Sequence, residues 1–139
     1  HSDMNEVTHI GQPEPGSTRP FSRATRAAGL NFVSGHSAPH DPQRGIQRSD
    51  SATEQVRAAL KVMEQILLDQ GSRLDRVVQV TMLITDPADY AECNAEYVQH
   101  FPHGLPARHT ARFGVPTEAK VAFSCIALAA EQDENMGTE

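Results

Sequence analysis

At 139 residues, with 38% hydrophobic residues, no Trp and five Phe, the chain has material for one domain with an aliphatic, Ala-rich core. A net charge of −6, a pI near 5.6 and the lack of any basic run argue against nucleic acid or an anionic membrane as a partner, since either asks for a positive face. Two cysteines without CxxC spacing, and no leader-like or long apolar segment, lead to the expectation of a soluble cytoplasmic protein.

His1-Ser2-Asp3, ahead of Met4, read as the remnant of an expression tag. Residues 1–17 are expected to be a flexible arm, because Pro13, Pro15 and Gly16 leave no period of 2 or 3.6. A single domain is expected over 18–130, followed by an acidic tail over 131–139. Phe21 to Ala28 predicts a short strand, Gly29 its turn, and Leu30 to Ser34 a second strand that stops at Gly35; the two would form a hairpin. His36 to Asp50, with Pro39, Pro42 and Gly45, predicts a loop.

Ser51-Ala52-Thr53-Glu54 is a capping box, with a hydroxyl for the orphan N–H at N3 and a Glu reaching back. Behind it Val56, Ala59, Leu60, Met63, Ile66 and Leu67 recur at spacings of three and four, and Gly71 supplies the stop. Arg76 to Thr85 is β-branched and apolar, which predicts a strand buried on much of both faces. Asp86-Pro87 opens a second helix that places Tyr90, Asn94, Tyr97, Val98 and Phe101 on one side and ends at Pro102-His103-Gly104. Arg108 to Phe113 and Lys120 to Ala129 predict the last two strands. The order β-β-α-β-α-β-β predicts an α+β fold: one mixed sheet with both amphipathic helices on one face. The sheet's other face then needs a cover, and a partner subunit is the expected one.

One stretch stands out, Leu105-Pro106-Ala107-Arg108-His109-Thr110. Pro106 has no N–H to donate, so strand pairing should begin at Ala107 and Arg108. A guanidinium fixed at a strand's mouth presents a planar fork of donors suited to a carboxylate or phosphate. Alternation puts Thr110 on the side of Arg108 and turns His109 away. It also puts Ser34 and His36 on one side if their strand continues that far.

The element order, with Phe21, Val33-Ser34-Gly35, Ile84-Thr85-Asp86, Asp89-Tyr90, Asn94, Tyr97, Phe101 and Pro106-Ala107-Arg108, resembles the RidA/YjgF/YER057c/UK114 family over most of residues 18–129. The resemblance implies a chorismate-mutase-like α+β domain assembled as a homotrimer, with clefts between subunits. It implies hydrolysis of reactive 2-imino or enamino acids to 2-keto acids and ammonia, without a cofactor. On the matching positions, Arg108 is the arginine that clamps the substrate carboxylate. Phe21, Ser34, Gly35, Asn94 and Thr110 are the residues lining the cleft. Two departures matter. Alignment of the last strand puts Ala122 where the family has a water-positioning glutamate, with Ser124 at the next position on that face. His109 follows the arginine where a small residue is usual.

Imine hydrolysis needs a steered water and a proton for the leaving nitrogen. Ala122 can supply neither, and Ser124 can at most hold a water. His36 is therefore the best replacement acid/base in the sequence. The pairs His36/His40 and His100/His103 lack an accompanying carboxylate-His motif, so no metal site is expected. Cys93 and Cys125 read as small buried hydrophobes, and Glu54, Glu64, Asp75, Asp89 and Glu92 as solvated charge. The expected function is thus a deaminase-type hydrolase of a small carboxylated substrate. The alternative is a trimer that binds such a carboxylate without turning it over. A ribonuclease is disfavoured by the net acidity and the absence of a His/Lys catalytic set.

Overall fold

The computed structural model describes residues 5–130, so the tag remnant and the acidic tail lie outside the described residues. Six strands form one sheet: β1 (Thr8–Ile10), β2 (Ala24–Ala27), β3 (Leu30–Ser37), β4 (Val77–Ile84), β5 (Ala107–Arg112) and β6 (Val121–Leu128). Their order is β1-β2-β3-β6-β4-β5; β4 and β5 run parallel and every other pair antiparallel. Two helices, α1 (Ala52–Asp69) and α2 (Tyr90–Tyr97), provide the crossovers. The fold is the predicted α+β arrangement, with a mixed sheet. Among the described residues no helix is long and apolar enough to cross a membrane.

Three strand boundaries differ from expectation, each for a tertiary reason. The first is β1, which forms inside the stretch expected to be an arm, where Thr8, His9 and Ile10 pair with Arg26, Thr25 and Ala24. Three residues carry too little pattern to read; the free edge of β2 supplies the template. Second, β2 starts at Ala24, not Phe21, and joins β3 through Ala28-Gly29. Both of those residues have positive φ, 54° and 78°. That is the twist a two-residue hairpin loop requires.

Third, β3 continues past Gly35 to Ser37. Val33 faces Cys125 across the pair while His36 faces Phe123, so an extra residue is accommodated at Ser34-Gly35. Such a bulge reverses the alternation beyond it. Ser34 and His36 therefore lie on opposite faces, which overturns the shared side expected from simple alternation.

Ser51 caps α1: its Oγ accepts from Glu54 N at 3.2 Å, while its own N–H donates to Ser49 Oγ at 3.0 Å, the role expected of Glu54. The helix ends in a Schellman motif, with Gly71 N donating to Leu68 O and Ser72 N to Leu67 O. Gly71 has φ +77°, and a Cβ there would sit 2.9 Å from the Ala130 Cβ, so glycine is required twice over. Val56, Ala59, Leu60, Met63 and Leu67 are fully buried against β3 and β6. Each of the larger ones contributes about 1.5–3 kcal/mol.

The segment of α2 starts with Asp86 Oδ1 accepting from Ala88 N at 2.9 Å, passes through a 3-10 turn at Pro87–Asp89, and ends in another at Val98–His100. Its core stripe is Cys93, Tyr97 and Phe101, spaced by four. The predicted face was rotated, since Tyr90 and Val98 remain 44% and 46% exposed. Glu96 is buried between the helices, held by Arg57 through Nε at 3.1 Å and Nη2 at 3.2 Å, and by His100 Nε2 at 2.8 Å.

On β4, Val80, Met82 and Ile84 are buried under the helices, but Gln79, Thr81 and Leu83, which alternate with them, are only half-buried. Phe32 and Leu128 are exposed on that second face. Within one chain β4 is thus buried on one face only, contrary to the two-sided burial expected of it.

Candidate functional site

The predicted site residues fall into two groups on opposite faces of the sheet. The first lies on the helix side of edge strand β5. Arg108 is in register with Val80 and Thr110 with Met82, both core residues on that side. The Arg108 guanidinium stacks over the Tyr97 ring, 4.7 Å from its centroid, and lies 5.8 Å from that of Tyr90. Its Nη2 donates to the Tyr90 hydroxyl at 3.2 Å. Among the described residues no carboxylate lies within ion-pair distance of it.

Helix α2 supplies the surroundings of this group. Tyr97 is fixed by its packing on Phe101 and Phe123, at 5.0 and 5.8 Å between ring centroids. Burial pushes its hydroxyl up to about 12, against the pull of Arg108. Tyr90 shifts the opposite way: the Asn94 side chain first, then the Arg108 charge, holds it below the usual phenol value. Arg108, Asn94 and Thr110 are therefore brought together. The two tyrosines were missed as site residues, although their seven-residue separation places both on the face of α2 that carries Asn94.

The second group lies on the open side. There a groove of about 930 Å³ is lined by Phe21, Ser34, Gly35 and Ser124, with Ala122, Phe32, Leu83, Phe113 and Val115. Ser34 is held at the bulge by its N–H to Arg23 O at 2.9 Å and by its Oγ donating to Ser22 O at 2.6 Å. A Cβ added at Gly35 would meet nothing within 4 Å. Ala122 faces Leu83 and Ser124 faces Thr81. The groove also reaches His9, on the strand that the sequence did not reveal.

His36 belongs to neither group. Its register with Phe123 turns it to the helix side, away from the groove's lining. Burial, then the charge of Arg23, pushes its pKa down, opposed by a hydrogen bond with the Arg23 carbonyl. His109 is in register with Thr81 and turns away from Arg108, as alternation predicts. Cys93 and Cys125 are buried thiols, and burial pushes them up to about 11 and about 12. Neither is a thiolate at neutral pH. Among the described residues no group of three or more His, Cys, Asp or Glu is placed to hold a metal ion.

Comparison with known proteins gives the family and the fold. The family described as Endoribonuclease L-PSP matches residues 11–129. The chain is 35% identical over 114 residues to the chloroplastic Reactive Intermediate Deaminase A of Arabidopsis thaliana, covering 81% of this chain and 60% of that one. Among solved structures it resembles a YjgF-family protein from Neisseria meningitidis, with a TM-score of 0.74 and 25% identity over 91% of this chain and 96% of that one. It also resembles E. coli TdcF with bound serine, with a TM-score of 0.72 and 26% identity over 87% and 98% of the two chains. The similarity to these structures extends the chorismate-mutase-like fold to this chain.

Proposed function

Because this chain belongs to the endoribonuclease L-PSP family, the RidA/YjgF family that its sequence resembles, we propose that it hydrolyses 2-imino or enamino acids, or a related small carboxylated nitrogen compound, at clefts between the subunits of a cytoplasmic homotrimer. The observation that carries this reading is the Arg108 guanidinium, which stands on aromatic rings with no carboxylate among the described residues beside it. Such a fork fits the carboxylate of a small acid. Serine, bound to TdcF, carries that group. The second support is the separation of the two groups, since a neighbouring copy could bring its Ser34, Gly35 and Ser124 to the Arg108 of this one.

In this reading the Arg108 fork holds the substrate carboxylate, with Thr110 and Asn94 beside it. Ser34 and Ser124 of the adjoining copy hold a water. The water oxygen adds to the imine carbon while one of its protons passes to nitrogen. The remaining hydroxyl proton then follows as the C–N bond breaks, leaving a keto acid and ammonia; no oxidant or reductant is consumed. Orientation supplies much of the acceleration, as befits a substrate that is already reactive. His36, on the opposite face from Ser34, has no part in it.

Ala122, where a carboxylate would steer the water, favours a second reading in which the trimer binds the acid without turnover. Ammonia and keto acid release from freshly generated 2-iminoacids separates the two. The hydrolase reading expects release above background that falls at least about 100-fold in Arg108→Ala. Release at background, with Arg108-dependent binding by calorimetry, would favour the binding reading, and release unchanged in the variant would remove Arg108 from both.

A further inference from the structure

Resting on the reading just given, we infer that the acid whose carboxylate Arg108 takes carries a bulky uncharged side chain, aromatic or branched aliphatic, which lies in the groove on the open face of the adjoining copy. The groove is built for such a group. Phe21, Leu83, Phe113, Val115 and Ala122 give it apolar walls, its polar groups are hydroxyls and the imidazole of His9, and among the described residues no acidic or ammonium side chain lines it. Phe21 is 45% exposed and Val115 62%, apolar surface left wet in the chain alone at the very place where the two serines sit.

The chemistry of the lining discriminates. A side chain bearing a carboxylate or an ammonium would shed water against a lining that holds no opposite charge, which is strongly unfavourable. A methyl group would touch little of that apolar lining and so would gain little from burying it. A ring or a branched chain removes apolar surface from water on both partners. Phe21 is the residue best placed to feel the difference, since it lines the groove from the loop before β2, where the Arg19 guanidinium lies 5.6 Å from its ring centroid.

Calorimetry on the assembled protein with four keto acids tests this without relying on turnover: phenylpyruvate and 4-methyl-2-oxopentanoate against pyruvate and oxaloacetate. The inference expects the first two to bind about 10-fold or more tightly than the last two, the range that apolar pockets reach. Phe21→Ala should shrink that ratio several-fold. Val115→Ser, a substitution at an exposed position, should move it the same way. Pyruvate or oxaloacetate binding as tightly as phenylpyruvate would overturn the inference while leaving the Arg108 anchor intact. Failure of all four acids to bind, or binding that Arg108→Ala leaves unchanged, would instead overturn the reading on which it rests, and the inference with it.

Discussion

The two halves of the candidate site are built in opposite ways. The Arg108 half is a charged side chain on an edge strand, steadied by the rings of α2 and short of a counter-charge among the described residues. The Ser34 half is apolar, shaped by a bulge in the middle of the sheet, and carries hydroxyls and open space at Gly35. A cation without an anion and a groove without a charge make little sense apart. Each lacks what the other offers, and the sheet stands between them, so their union requires a second chain.

The largest expected effect comes from removing the cation. Arg108→Ala should lower kcat/KM for iminoacid hydrolysis by about 100-fold or more, roughly 2.7 kcal/mol of transition-state stabilisation. Arg108→Lys should fall in between, because it keeps the charge and loses the fork. Steady-state kinetics of both variants checks this, and equal rates in all three proteins would dissolve the contrast between the halves.

Next is the space in the groove. Gly35→Val should cost about 10-fold or more in activity with the urea midpoint little changed, since a Cβ there meets nothing within 4 Å in its own chain and the added bulk intrudes on whatever occupies the cleft. A large drop in stability would show instead that Gly35 serves the fold.

A smaller effect is expected at the support of the Arg108 half. Arg57 hydrogen bonds, against the opposing effect of burial, hold the Glu96 carboxylate below its ordinary range. Glu96→Gln should cost about 1–3 kcal/mol in urea denaturation, the value of hydrogen bonds to a charged group. The pH dependence follows in sign. A folded-state pKa that is depressed gives stabilisation present above the unfolded value, about 4.3, and lost as pH falls through the folded one. Acid unfolding of the wild type should therefore flatten in the Gln variant below about pH 4.3. Smallest of all is the cysteine response. With their thiols pushed up to about 11 and about 12, Cys93 and Cys125 should resist alkylation at pH 8 in the folded protein, so treatment with the reagent should leave activity unchanged.

What the sequence revealed follows where local signals suffice. The Ser51 cap, the stripe from Val56 to Leu67 and the Gly71 stop are all satisfied within a few residues, and α1 formed where they said. Arg108 and Thr110 were placed on one face by alternation in an unbroken strand. The bulge at Ser34-Gly35 was not legible, because an extra residue is defined only against the partner strand β6, and His36 went to the wrong face for that reason. The short β1 was hidden likewise, its three residues depending on the edge of β2. Tyr90 and Tyr97 fall on one side of α2 by periodicity, which does not say that their rings meet an arginine of a later strand.

The claim that the halves belong to one site shared between copies is most directly tested by mixing subunits. Arg108→Ala and Gly35→Val chains, each impaired alone, would be unfolded together, refolded at equal amounts and assayed once mass spectrometry of the intact assembly confirms mixed oligomers. If each cleft joins the Arg108 of one copy to the groove of the next, random mixing should restore about a quarter of the wild-type rate per site, because one cleft in four pairs an intact arginine with an intact groove. Mixed assemblies that form and are no more active than the two variants kept apart would contradict the account.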